Sequence, residues 1–259
     1  MSSTEGRVEL EIRGEIAWLT FDRAAARNAM TWPMYEQLDA HIERIAREPG
    51  VRLAVIRGAN HTFVAGTDIA QFTTFASGDD GVDYERRLER IVGRVEALPV
   101  PILAVVEGHA TGAGLILAAV SDLRVCTPDA RFGMPIARTV GNCLSIANHA
   151  RLIAAFGGAR TKALILTAEM INAADAHACG FVAEIVPADQ FDVRVNRLCE
   201  RIAANAPITM ATTREAVRRI LRSALPDGED LIRQAYGSRD FREGVAAFLA
   251  KRPPEWRGE

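Results

Sequence analysis

A run of apolar residues broken by three closely spaced glycines limits this chain more than any other stretch: Pro101-Ile-Leu-Ala-Val-Val-Glu-Gly-His-Ala-Thr-Gly-Ala-Gly-Leu-Ile-Leu-Ala-Ala-Val120. Ile102 to Val106 has the continuous apolar character of a strand buried on both faces. Gly108, Gly112 and Gly114 then force a tight turn, and Leu115 onward is a run of good helix formers. A strand, a glycine turn and a helix start leave backbone N–H groups unpaired at the positive end of a helix dipole. Such a place favours negative charge, whether resident on a ligand or developing on an oxygen during reaction, and reads as half of an oxyanion hole. A membrane span fails because Pro101, Glu107, His109 and the glycines interrupt it. A nucleotide loop fails because Gly-x-x-x-Gly-x-Gly matches neither the dinucleotide fingerprint nor the P-loop.

The 259 residues suit one large domain, or one domain with a smaller appendage. A net charge of -2 supplies no whole-molecule attraction to nucleic acid or membrane. Residues 1–6 are polar, so no secretory leader is expected. Cys126, Cys143, Cys179 and Cys199 are scattered without a Cys-x-x-Cys pair. That pattern predicts reduced thiols in a cytoplasmic protein and no metal site.

Val8 to Arg13 and Glu15 to Phe21 alternate apolar and polar side chains around Gly14, predicting two strands and a turn. Thr31 is placed to cap a helix over Trp32 to Arg47, with Pro49-Gly50 beyond its end. Leu53 to Ile56 is a short buried strand, followed by a second small-residue turn, Gly58-Ala-Asn-His-Thr-Phe-Val-Ala-Gly-Thr-Asp-Ile69. Leu88, Ile91, Val92, Val95 and Leu98 recur at helical spacing within Tyr84 to Leu98, and Leu123 to Cys126 reads as a strand. This alternation indicates α/β layering. Beyond Asn148 the pattern is mostly helical, over 150–156, 161–166, 173–179, 189–205, 208–221, 230–237 and 240–251. Pro187 and Pro207 mark the expected passage from a core, residues 1–187, to a helical C-terminal region, residues 188–259.

Five segments in order, Asn28-Ala-Met30, Phe63-Val-Ala-Gly-Thr-Asp-Ile69, Val106-Glu-Gly-His-Ala-Thr-Gly-Ala-Gly114, Arg131-Phe-Gly-Met-Pro135 and Asp240 to Pro253, resemble the crotonase superfamily, the enoyl-CoA hydratase/isomerase family. The resemblance implies an α/β fold, the crotonase (ClpP-like) spiral of β-β-α units, with C-terminal helices that build a homotrimer or a dimer of trimers. It implies an acyl-CoA thioester as substrate and no cofactor beyond the coenzyme A which that substrate carries. The backbone N–H groups of Thr67, after Ala65-Gly66, and of Ala113, after Gly112, would hold the thioester oxygen. Loss of one such donor typically costs about 2.7–4 kcal/mol of barrier lowering. Ala26, Arg27, Asp68, Ile69 and Lys251 match coenzyme A-contacting positions, although an exposed Arg27 or Lys251 could equally be a solvated surface charge.

The departure from the family is chemical. Hydrating relatives use two glutamates, and the matching positions here are Ile116 and Ile136. General acid–base catalysis is worth about 10²–10⁴-fold and an isoleucine cannot supply it. The expectation is therefore an apolar, dry pocket and a reaction other than standard hydration: isomerisation, decarboxylation or thioester cleavage. Cys143, expected near a helix N-terminus, is a candidate nucleophile against the alternative of a buried inert thiol. Arg138 could pair with a carboxylate on the acyl group or lie in solvent. His61, His109 and His149 are candidate bases, each with a packing or surface role as the alternative. An acyl-CoA binding protein without turnover and a conventional hydratase both stay open.

Overall fold

The alternating residues around Gly14 form an antiparallel hairpin, β1 (Arg7–Arg13) and β2 (Ile16–Asp22), with Val8 opposite Phe21. The structure is a computed structural model and describes residues 5–258, so residues 1–4 of the polar N-terminal stretch lie outside the described residues. Helix α1 (Trp32–Arg47) has the expected limits. Thr31 occupies its N-cap position, but the hydroxyl donates to the Glu5 carbonyl at 2.8 Å and makes no cap. The Trp32 N–H is taken instead by the Gln71 side chain at 2.6 Å.

Three successive units then wind as a spiral. The first is β3 (Leu53–Gly58), β4 (Val64–Ala65) and α2 (Gly78–Glu96). The second is β5 (Ile102–Val106), β6 (His109–Thr111) and α3 (Ala113–Val120). The third is β7 (Leu123–Cys126), β8 (Arg131–Gly133) and the short α4 (Ile136–Thr139). Each unit adds one strand to each of two sheets. The larger sheet runs β1-β2-β3-β5-β7 and ends on β10 (Glu184–Ile185); the smaller runs β4-β6-β8 and ends on β9 (Ile171–Asn172). All pairings beyond the first hairpin are parallel except β8 with β9.

Because successive side chains of a strand point to opposite faces, the larger sheet is buried on both. Leu53, Val55, Leu103 and Val105 face Phe191, Val195, Leu198 and Ile202 of α7 (Phe191–Ala203). Ala54, Ile56, Ala104 and Val106 join the main core with α1, α2 and α3. Helix α2 begins six residues earlier than the apolar spacing suggested, because Ser77 and Asp80 form a capping box. The segment α5 (Ile146–Leu166) is two helices joined at a kink where Gly157 adopts φ 75° and ψ 159°, so the two helices expected over 150–156 and 161–166 are both present. The remaining helices are α6 (Ala173–Ala178), α8 (Pro207–Arg222), α9 (Glu229–Gly237) and α10 (Arg239–Leu249). Ile232, Tyr236, Phe241 and Val245 of α9 and α10 belong to the main core, so these two helices close the core rather than hang from it.

Candidate active site

Two glycine turns meet at the inner ends of the smaller sheet. Gly66, with φ +90°, follows β4, and Gly112, with φ +54°, follows β6. They abut: a Cβ on Gly112 would sit 3.4 Å from the Gly66 Cα. Positive φ and this approach together suit glycine at both positions. Gly114 has a different reason. A Cβ there would lie 1.9 Å from the Val64 carbonyl oxygen, so α3 rests directly on β4 only because that atom is missing.

Thr67 and Ala113 are the residues after these glycines. Among the described residues, no backbone carbonyl accepts from either N–H. The Thr67 hydroxyl is held between the phenols of Tyr35 at 2.7 Å and Tyr84 at 2.8 Å, which fixes the turn. On the other side Asn28, fully buried at φ 59°, receives the Arg23 N–H at 2.8 Å and donates to the carbonyls of Ala59, Thr62 and Phe63. That ties the first loop to the turn. The Met30 N–H bonds to the Gly66 carbonyl at 2.8 Å, and the Ala65 N–H to the Arg27 carbonyl at 3.1 Å.

Both free N–H groups belong to residues lining one cavity of about 690 Å³. It also brings together Ala26, Arg27, Ala65, Gly66, Asp68, Ile69, Gly112, Ile116, Ile136 and Lys251, which lie far apart in the chain. Exposed Arg27, Phe248 and Lys251 stand at its mouth. Asp68 is already paired with Arg23 at 2.7 Å, and its carboxylate also caps the next turn at the Ala70 N–H.

Two expected residues are not among the lining. Arg138 is exposed on α4. Cys143 lies in the link before Ser145, the N-cap of α5, and its thiol points to the Leu231 carbonyl at 3.5 Å. Burial, with the nearby Glu85 carboxylate, pushes that thiol up to about 12, opposite to the lowering expected at a helix N-terminus. Of the histidines only His109 lines the cavity; His61 bonds Glu107 at 2.7 Å and His149 bonds the Ser145 carbonyl at 3.0 Å.

The expectation of a hydrocarbon pocket needs correction. Ile116 and Ile136 do line it, but so do Glu85, Tyr84, Asn142 and Asn148. Glu85 is 2% exposed, accepts from the Tyr236 hydroxyl at 2.8 Å and from the Ser145 N–H at 3.0 Å. Burial pushes its carboxyl up to about 7, where one proton is gained or lost near neutral pH. The sequence held the signal. Gly81, Tyr84, Glu85, Leu88, Val92 and Val95 form the buried stripe of α2, so a glutamate sits on the apolar face. No group of His, Cys, Asp and Glu side chains able to hold a metal ion occurs among the described residues, and none of their helices is long and apolar enough to cross a membrane.

A two-sheet β-β-α spiral with paired glycine turns at one cavity defines the crotonase class. The chain belongs to the enoyl-CoA hydratase/isomerase family, whose model matches residues 11–259. It is 31% identical over 244 residues to the 2,3-dehydroadipyl-CoA hydratase of Escherichia coli (strain K12), covering 93% of this chain and 94% of that protein. To a probable enoyl-CoA hydratase of Bacillus subtilis (strain 168) it is 30% identical over 258 residues, 97% and 99% of the two chains. Among solved structures, a methylmalonyl-CoA decarboxylase in complex with 2-nitronate-propionyl-CoA superposes with a TM-score of 0.88 at 25% identity, covering 98% of this chain and 99% of that one.

Proposed function

We propose that this protein is an acyl-CoA enzyme in which the N–H groups of Thr67 and Ala113 hold the thioester oxygen as an enolate forms, and Glu85 moves the proton. The observation that carries this reading is the single buried, unpaired-by-cation carboxyl of the cavity, Glu85, with its ionisation raised to about 7. One such group suits chemistry that passes one proton between substrate carbons. In a double-bond shift, the Glu85 carboxylate takes a proton from carbon 2 of a β,γ-unsaturated acyl group while the C–H electron pair moves to the thioester oxygen, forming a dienolate. The carboxyl then returns that proton to carbon 4, and the dienolate collapses to the α,β-unsaturated thioester. Standard hydration needs a second carboxyl to position the water, and Ile116 and Ile136 stand where relatives carry those groups.

A second reading has one specific support, the likeness to a methylmalonyl-CoA decarboxylase. Loss of carbon dioxide would send the C–C bonding pair to the same held oxygen, and protonated Glu85 would deliver its proton to the carbon, to be reprotonated from solvent. The coenzyme A moiety would leave through the mouth beside Arg27 and Lys251. Cys143 takes no part. Three substrates separate the alternatives in one assay followed by liquid chromatography with mass detection, which resolves the isobaric but-3-enoyl and crotonyl thioesters: but-3-enoyl-CoA, methylmalonyl-CoA and crotonyl-CoA. Product from either of the first two, with crotonyl-CoA left at its no-enzyme rate, is the expected outcome. Fast hydration of crotonyl-CoA would overturn the reading, and binding of all three without product would make the chain an acyl-CoA binder.

The same family reading extends to assembly as a homotrimer or a dimer of trimers. It is supported by α8, which buries none of its residues within the chain while exposing Ile208, Val217 and Ile220.

A further inference from the structure

Helix α9 lies against α2 where α2 carries glycines in place of side chains. A Cβ on Gly78 would overlap the backbone of Arg233, and one on Gly81 would overlap the ring of Tyr236. Glycine weakens a helix interior, yet Gly81 stands in the buried stripe of α2. It is the notch that receives Tyr236, and Glu85 follows one helical turn further on. Phe72, Phe75, Tyr84 and Phe241 surround the ring, with Phe241 at 4.8 Å between centroids. So placed, the Tyr236 hydroxyl donates to Glu85 Oε1 at 2.8 Å, while the Ser145 N–H donates to Oε2 at 3.0 Å. Each carboxyl oxygen has one fixed donor.

The sense of that hydroxyl is itself set. Tyrosine has one proton to give, and Asn142 Nδ2 donates to its oxygen at 3.0 Å, so the proton is left for Glu85. The same Nδ2 faces the Cys143 carbonyl at 3.5 Å, and the reverse amide orientation would set two acceptors against each other there. Asn142 Oδ1 is left without a donor, whereas turned round it would take the Tyr236 proton away from Glu85. The titratable groups near Glu85 are Tyr35 of α1, Tyr84 and Glu89 of α2, Cys143 of the link before α5 and Tyr236 of α9. Burial pushes the three phenols and the thiol up, so each keeps its proton through neutral pH. Glu89 is paired with Arg151 and Arg222.

We propose that Tyr236 is a positioning residue of the reaction: its hydroxyl, committed by Asn142, holds the Glu85 carboxyl in place for proton transfer. This rests on the reading of Glu85 as the proton carrier, and the test separates the two. Infrared spectra of the full chain across neutral pH read the protonated Glu85 carboxyl as the band that Glu85→Gln removes. A donor to a carboxylate favours its charged form. Tyr236→Phe keeps the ring and removes the donor, so the band should persist to a pH at least about one unit higher than in the wild type, the tenfold that a hydrogen bond to a charged group supplies. Asn142→Asp offers Tyr236 an acceptor, draws its proton away from Glu85 and should move the band in the same direction. For whichever thioester above is turned over, the limb of the kcat profile set by Glu85 should move up with the band. A band that stays in place in both variants would overturn the inference and leave Glu85 as proton carrier. A kcat in Tyr236→Phe lowered equally at every pH, with the band in place, would make Tyr236 a packing residue only. Full kcat in Glu85→Gln would overturn the proton-carrier reading, and the inference with it, even where the band moves. Binding of all three thioesters without product would overturn both.

Discussion

Glu85 is held by two donors, the Tyr236 hydroxyl and the Ser145 N–H, yet its burial outweighs both and its ionisation is raised to about 7. This has a stability consequence with a definite sign. Between the ordinary carboxylate value of 4.5 and about 7, the folded protein holds a proton that the unfolded chain has already lost. Unfolding free energy therefore falls as pH rises through that window and levels off above it, by on the order of 3 kcal/mol for the full shift. Glu85→Gln should flatten this slope, measured as the urea midpoint from pH 4.5 to 8, because glutamine has no proton to lose. The same variant should lower kcat by about 10²–10⁴-fold if Glu85 is the proton carrier. A variant with normal kcat but a flattened slope would leave the residue a purely structural one. Glu85 was readable in the sequence only as a misplaced charge on the α2 stripe, and its partners, Tyr236 and Ser145, come from elements far along the chain.

At the level of elements, the site depends on how closely α3 lies on β4. Gly114 permits that approach, and the Val64 carbonyl it faces is backbone with no rotamer in which to retreat. Gly114→Ala should therefore destabilise the fold by about 1–3 kcal/mol, the usual cost of overpacking, read from chemical denaturation. It should also tilt the start of α3 and move the Ala113 N–H, so that turnover falls by more than the stability loss explains. Helix α5 is anchored to α2 by the buried Arg151, whose guanidinium meets Glu89 at 2.8 Å and Glu96 at 2.9 Å. That anchor also sets the orientation of Asn148. Element limits such as Trp32–Arg47 follow from local periodicity, which is why they were legible. The early start of α2 reflects a cap that apolar spacing does not register.

For the whole molecule, α8 is the unsatisfied part. Ile208 is 77% exposed and Ile220 71%. Next to this face runs a groove of about 670 Å³ lined by Met210, Val217 and Leu221 of α8 with Ala119 and Leu123. Large apolar side chains clustered on one helix are the mark of an interface. Light scattering should return a mass of three or six times the 28.2 kDa of one chain. Ile220→Asp should shift it toward the single-chain mass by placing a charge in that contact. A wild type that elutes as one chain at micromolar concentration would refute the assembly.

Local rules were enough for the strand–turn–helix alternation, the limits of α1 and the two glycine turns, because each depends on residues that are neighbours along the chain. The resemblance carried by five segments named the family, and the identity of Ile116 and Ile136 followed by reading single positions. The contents of the cavity needed the tertiary structure. Glu85, Asn142, Asn148 and Tyr236 meet only when α2, α5 and α9 close on one another, and burial raises the Glu85 carboxyl and the Cys143 thiol alike. Desolvation is a property of everything surrounding a group, so no window of sequence contains it.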